Sequence, residues 1–110
     1  MHPSKPDEDA KAITTLSERA EEAVDALKAM ASETRLRIMC SLSCGEQSVN
    51  QLAAATGQSQ SAVSQHLAKL RAAGLVGSRR DGQTIYYRCN PGIARELIET
   101  LCRFYKPSPE

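Results

Sequence analysis

The chain has 110 residues, enough for one domain with a thin core that pairing with a second copy would thicken. Hydrophobic residues make up 41 %, too many for disorder throughout, and with no tryptophan and one phenylalanine the packing falls to aliphatic side chains. The net charge of +1 conceals an uneven spread: residues 58–88 carry Lys69, Arg71, Arg79, Arg80 and Arg88 against Asp81 alone, whereas acidic side chains outnumber basic ones in the rest.

A basic block in an acidic frame is the expected footprint of a nucleic-acid face, with a solvated charged surface as the plain alternative. The opening MHPSKPDEDAKA has no apolar run after its charges, and nowhere do 18 apolar residues stand together. A cytoplasmic location is expected, with Cys40, Cys44, Cys89 and Cys102 as thiols.

Residues 1–9, with Pro3 and Pro6, read as an N-terminal tail, residues 10–107 as the folded domain and 108–110 as a C-terminal tail. A first helix is predicted from about Asp9 to Met30, because Leu16, Ala20, Val24, Leu27 and Met30 recur at threes and fours. Ser32 can cap a second helix, with Glu33 in its first turn. Leu36, Met39, Cys40 and Ser43 share one side of it, and Gly45 lies beyond its end.

Ser48 and Gln51 have the spacing of a capping box, which opens a short third helix from Val49 to Thr56 that Gly57 stops. Ser59 caps a fourth helix from Gln60 to Ala73, and Gly74 ends it. Two helices meeting at a glycine turn are the helix-turn-helix pattern. Leu75 to Arg80 and Gln83 to Cys89 read as strands joined by Asp81-Gly82, a two-residue hairpin signal. That turn sets Val76 opposite Tyr87 and Ser78 opposite Ile85, with Arg80 and Gln83 at the tip. Asn90 is expected to cap a fifth helix with Pro91 at its first position. Ile93, Ala94, Leu97, Leu101, Cys102 and Tyr105 form its stripe, and Pro107 ends it. The predicted fold is mainly α with a β-hairpin wing: a winged helix-turn-helix of four helices, two strands and a fifth helix.

On the fourth helix Val63, Leu67 and Leu70 make a buried side. Gln60, Ser61, Ser64, Gln65, Ala68 and Lys69 face away from it, with the hydrogen-bonding groups crowded toward the N-terminal half. Recognition helices present that half to base edges of double-stranded DNA, where Gln suits adenine and serine suits bases or phosphates. A polar solvated face is the bland alternative. His66 borders the buried stripe and reads as a structural hydrogen bond or a phosphate contact. Arg79, Arg80 and Gln83 at the hairpin are positioned for phosphates or a narrow minor groove. No base is placed to activate a nucleophilic cysteine, and no phosphate loop or carboxylate pair appears, so neither an enzyme nor a cofactor is expected. The cysteine spacing is unlike that of zinc ribbons or knuckles, and no metal is expected.

The segments LKAMASETRLRIMCSL, SQSAVSQHLAKLRAAGLV and RRDGQTIYY resemble the second helix, recognition helix and wing of the ArsR/SmtB family of bacterial winged-helix repressors. The resemblance spans about Val24 to Tyr105. It implies a homodimer joined through the first and fifth helices, binding a near-palindromic operator until an inducer releases it. The third helix lacks the cysteines of the family's arsenic and cadmium sensors, and the fifth lacks the histidine of its zinc sensors. The sequence is more similar to the persulfide-sensing SqrR/BigR-like branch, which also includes NolR-like regulators. Cys40 matches one sensing cysteine. The other belongs in the last turn of the final helix, where Lys106 stands; Cys102 lies one turn earlier on the same face. The resemblance therefore implies a Cys40–Cys102 thiol sensor for reactive sulfur species. A regulator without a thiol switch, or one responding to metalloid, is the alternative.

Overall fold

The computed structural model describes residues 6–107. Residues 1–5 of the expected N-terminal tail and residues 108–110 of the expected C-terminal tail lie outside them. The described elements run α1 (Pro6–Glu18), α2 (Ala20–Met30), α3 (Glu33–Leu42), β1 (Gln47–Ser48), α4 (Val49–Thr56), α5 (Gln60–Ala72), β2 (Val76–Asp81), β3 (Thr84–Cys89) and α6 (Ile93–Phe104). Six helices are therefore described where five were expected, within the same winged helix-turn-helix fold.

The extra helix comes from a break in the first. At Arg19 the backbone leaves the helical region, with φ −106° and ψ 21°. Its N–H is shared between Thr15 O at 3.0 Å and Leu16 O at 3.1 Å, and its carbonyl accepts from Ala23 N at 3.1 Å to start α2. A salt bridge from Arg19 to Glu22 spans the first turn of α2. Helical structure also begins at Pro6, so residues 6–9 extend α1 instead of a tail; Asp7, Glu8 and Asp9 suit its N-terminal dipole.

The helix boundaries around the helix-turn-helix follow local chemistry. Ser32 Oγ accepts from Arg35 N to cap α3. Ser48 and Gln51 complete both halves of a capping box on α4, which Gly57 ends at φ 69°. Ser59 Oγ accepts from Ala62 N to cap α5. Each such cap contributes about 1 kcal/mol.

The hairpin differs from expectation. Val76 pairs with Cys89, Ser78 with Tyr87, Arg80 with Ile85 and Asp81 with Thr84. The two-residue turn is thus Gly82-Gln83, one residue later than Asp81-Gly82. Only Gly82 has positive φ, at 64°. A primed turn with glycine at its first central position needs no second left-handed residue, so Asp81 is released to pair in β2. Partners move by two residues, which preserves the faces. β3 is also the middle strand of three, because Gln47 and Ser48 pair with Tyr87 and Tyr86.

Asn90 does not cap the last helix. Its Nδ2 donates to Gly74 O at 3.0 Å, and its backbone N donates to Leu75 O at 3.0 Å. It clamps the end of the wing to the end of α5, and Gly92 precedes α6 without a side-chain cap.

The core is one cluster that includes Met30, Ile38, Met39, Leu42, Leu52, Val63, Leu67, Leu70, Val76, Cys89 and Ile98. The buried side of α5 is the expected Val63, Leu67 and Leu70. The expected stripe of the first helix is buried only at Met30; Leu16, Val24 and Leu27 are exposed, as are Ile93, Leu101, Phe104 and Tyr105. Within the last stripe only Ala94 is buried and Leu97 half-buried, with Ile98 supplying the anchor that periodicity had not singled out.

Candidate nucleic-acid interface and thiol cluster

Burying Val63, Leu67 and Leu70 turns the opposite face of α5 outward. Gln60, Ser61, Ser64, Gln65, Ala68 and Lys69 are all exposed. The capped N-terminus leaves its remaining amides directed out of the helix, a favourable place for phosphate. This face combines short hydroxyls, carboxamides and one ammonium, a set suited to base edges and backbone together.

His66 stands apart from that set. It is half-buried, and Arg35 Nη1 donates to its Nδ1 at 3.3 Å. A guanidinium cannot accept a hydrogen bond, so Nδ1 is the acceptor and Nε2 carries the proton. Arg35 is itself held by Ala29 O, 2.6 Å from its Nε. Burial, then the positive charges of Arg35 and Lys69, push the His66 pKa below its ordinary value of 6.5. The imidazole is therefore neutral at pH 7. Nothing around Arg35 in sequence marks it as the partner of a residue 31 positions away.

The wing arginines are not equivalent. Arg79 Nε donates to Glu46 Oε1 at 2.9 Å and Oε2 at 3.1 Å, and the guanidinium lies 4.9 Å from the Tyr86 ring centroid. The bond to Glu46, then its charge, raise the Arg79 pKa further. Arg79 thus already faces a carboxylate and an aromatic surface. Arg80, opposite Ile85, and Gln83, in the turn, are exposed at the tip. Glu46 escaped notice in the sequence because its role depends on β1 drawing the α3–α4 connection against β3.

The cysteines divide differently. Cys89 is 1 % exposed and packs in the core. Cys40, Cys44 and Cys102 are exposed free thiols. Although Cys40 reaches the surface, partial burial pushes its thiol pKa up, and negative charge at Cys102 and then Cys44 pushes the same way. α3 and α6 therefore bring Cys40 and Cys102 into one electrostatic neighbourhood, with Cys44 beside them. Cys44 Sγ points at Cys40 O, 3.9 Å away. Among the described residues no group of three or more His, Cys, Asp or Glu side chains is arranged to hold a metal ion. Among them, too, no helix is long and apolar enough to cross a membrane.

Residues 32–78 match the family model of the bacterial regulatory protein, arsR family. The transcriptional activator HlyU of Vibrio cholerae is 44 % identical over 93 residues, covering 84 % of this chain and 86 % of that protein. The crystal structure of the transcriptional repressor BigR from Xylella fastidiosa superposes with a TM-score of 0.79 at 33 % identity, covering 86 % of this chain and 97 % of that one. The solution structure of the homodimeric winged helix-turn-helix DNA-binding domain of Mb0332 from Mycobacterium bovis gives a TM-score of 0.71 at 28 % identity, covering 94 % and 89 %. The fold, the capped recognition helix and these relatives together establish that the chain belongs to the ArsR family of DNA-binding transcriptional regulators, and is not an enzyme.

Proposed function

We propose that the chain is a homodimeric repressor of a near-palindromic operator, released when reactive sulfur species join Cys40 to Cys102. Dimer formation is supported by the exposed apolar side chains of α1, α2 and α6, among them Leu16, Leu27, Leu101 and Phe104. Large apolar side chains exposed in this number on three helices are costly to leave in water. The homodimeric state of the Mb0332 domain points the same way. Gln60, Ser61, Ser64 and Gln65 read bases, and Lys69, Arg80, Gln83 and the Nε2–H of His66 meet the backbone. Arg79 adds a phosphate contact once it leaves Glu46.

What supports the switch is that Cys40 on α3 and Cys102 on α6 are both exposed thiols, and that negative charge at Cys102 helps to push the Cys40 pKa up. The chemistry balances with an organic persulfide, RS–SH, as the oxidant. One cysteine thiolate attacks the outer sulfur, forming Cys–S–SH and expelling RS⁻. The second thiolate attacks the sulfur joined to the first Cβ and expels HS⁻, leaving a disulfide. A further sulfur transfer before closure inserts one more sulfur atom and lengthens the bridge. Tying α3 to α6 strains the packing that sets the spacing of the two recognition helices.

The test combines mass spectrometry and gel shift after persulfide treatment. A Cys40–Cys102 crosslink that appears as DNA is released is the expected result. Release that persists in a Cys40→Ser/Cys102→Ser double variant overturns the switch and favours a regulator without it.

A further inference from the structure

His66 lies on the flank of α5, between the buried side at Val63, Leu67 and Leu70 and the exposed Gln65 and Lys69. Its Nδ1 is taken by Arg35. Its Nε2 has no partner among the described residues, and no side-chain nitrogen or oxygen among them is both buried and unpaired. The Nε2–H therefore opens to solvent. Lys69, three residues on, is its neighbour along the helix surface. Arg35 is itself fixed before it reaches the ring. Its backbone N donates to the Ser32 cap at 3.3 Å, its Nε to Ala29 O at 2.6 Å and its Nη2 to Lys28 O at 3.4 Å. Both carbonyls belong to the last turn of α2, where helical partners run out. The planar guanidinium leaves Nη1 as the edge that meets His66. The ring is thus held by its Nδ1 side, with its proton on the outward nitrogen. The cations beside it, Arg35 and Lys69, help to keep it neutral at pH 7.

We infer that Arg35 is a positioning residue for DNA: it aims the Nε2–H of His66, beside the Lys69 ammonium, at one phosphate of the backbone. The inference rests on the backbone role proposed for His66 and assigns its aim to a side chain on another helix. One phosphate then receives a neutral donor and a cation together. The neutral donor supplies direction, because a ring held at Nδ1 presents Nε2 along a single line. The cation supplies the salt dependence. Arg35 spends its fork on α2 and the ring, so its effect on DNA passes through His66.

The experiment titrates the reduced full chain into a fluorescein-labelled duplex of mixed sequence at several salt concentrations, with thermal unfolding in parallel. His66→Asn keeps an acceptor near the place of Nδ1 but has no donor at that of Nε2. It should bind about tenfold more weakly, as for one lost hydrogen bond to a charged group, at an unchanged melting temperature. His66→Gln carries an amide near the place of Nε2 and should recover most of that loss. Neither should alter the slope of log K against log salt, whereas Lys69→Gln should lower it by about 1. Arg35→Gln should match the loss of His66→Asn, and the double variant should lose no more than either. Additive losses, or parent-like binding by His66→Asn, overturn the role of Arg35 while the backbone reading of α5 stands. The unaltered chain gives a test that needs no variant to fold. His2 is its only other histidine, so nitrogen NMR reads the His66 ring directly. A proton on Nε2, with that signal shifting as the duplex is added, is expected; a proton on Nδ1, or a signal indifferent to DNA, overturns the proposal. Should the unaltered chain bind no duplex at any salt concentration, the backbone reading falls and the proposal with it.

Discussion

Arg35 on α3 and His66 on α5 are joined by a 3.3 Å hydrogen bond whose direction is fixed, because only the imidazole can accept. The same guanidinium grips the end of α2 through Ala29 O. One side chain therefore links the helix that carries Cys40 to the helix that carries the proposed base-reading groups. Protonating His66 turns the acceptor into a donor and sets two cations against each other.

A pH dependence follows, with a definite sign. The folded-state pKa of His66 lies below 6.5, so the unfolded chain binds the proton more readily. The contribution to stability is fully present above about pH 6.5 and is lost as pH falls from there through the folded value. Thermal unfolding between pH 8 and 5 should show this loss, and His66→Gln should flatten it. A profile identical to that of the unaltered chain would remove His66 as the titrating group.

Glu46 restrains Arg79. Glu46→Gln keeps the shape but removes the charge, so Arg79 becomes free to meet a phosphate. Binding to all DNA sequences should strengthen, and the slope of log K against log salt should steepen by about 1. A gel-shift series at four salt concentrations measures both; an unchanged slope means that Arg79 stays off the DNA.

Base reading and backbone contact separate by substitution. Gln65→Ala should reduce discrimination between operator and random DNA by about 1–3 kcal/mol if its carboxamide makes a bidentate contact. Arg80→Ala should weaken both DNAs to the same extent. Competition binding distinguishes the two patterns, and a uniform loss for Gln65→Ala would move that residue to the backbone.

Removing one thiol should change its neighbour. Negative charge at Cys102 helps to raise the Cys40 pKa, so Cys102→Ser should lower it. Alkylation of Cys40 at pH 9 should then run faster than in the parent chain. An unaltered rate would place the two sulfurs too far apart to couple.

Stability should follow the caps and the core. Ser48→Ala removes one side of the capping box and should cost about 1 kcal/mol in urea unfolding. Leu67→Ala, at a fully packed position of α5, should cost about 2–5 kcal/mol. If Leu67→Ala proved as mild as Ser48→Ala, α5 would not depend on that anchor.

The parts legible in the sequence were those whose causes lie within a few residues. Ser48 with Gln51, Ser59 ahead of Ala62, and Gly57 each act on neighbouring backbone, and all three appear as read. The buried side of α5 followed from period alone. What escaped depends on contacts between distant segments. Arg19 sits in a strongly helical composition, yet α1 and α2 diverge there. Asn90 looked like a cap beside Pro91, but its amide reaches Gly74, 16 residues back. The turn at Gly82-Gln83 was displaced because two adjacent dipeptides both contain the glycine that a primed turn needs. The candidate interface was legible as a face of α5, but neither Arg35 nor Glu46, the two residues that govern its charges, carried a local signal.

The pairing of β1 with β3 reaches beyond the sheet itself. Ser48 is at once a strand partner of Tyr86 and the cap of α4. The wing is thereby yoked to the first residue of the helix-turn-helix, and Asn90 fastens its other end behind α5. Within one subunit the wing cannot swing away while the probing helices stay put. In the proposed dimer, an inducer acting on such a yoke would have to pivot one whole half-molecule against its twin.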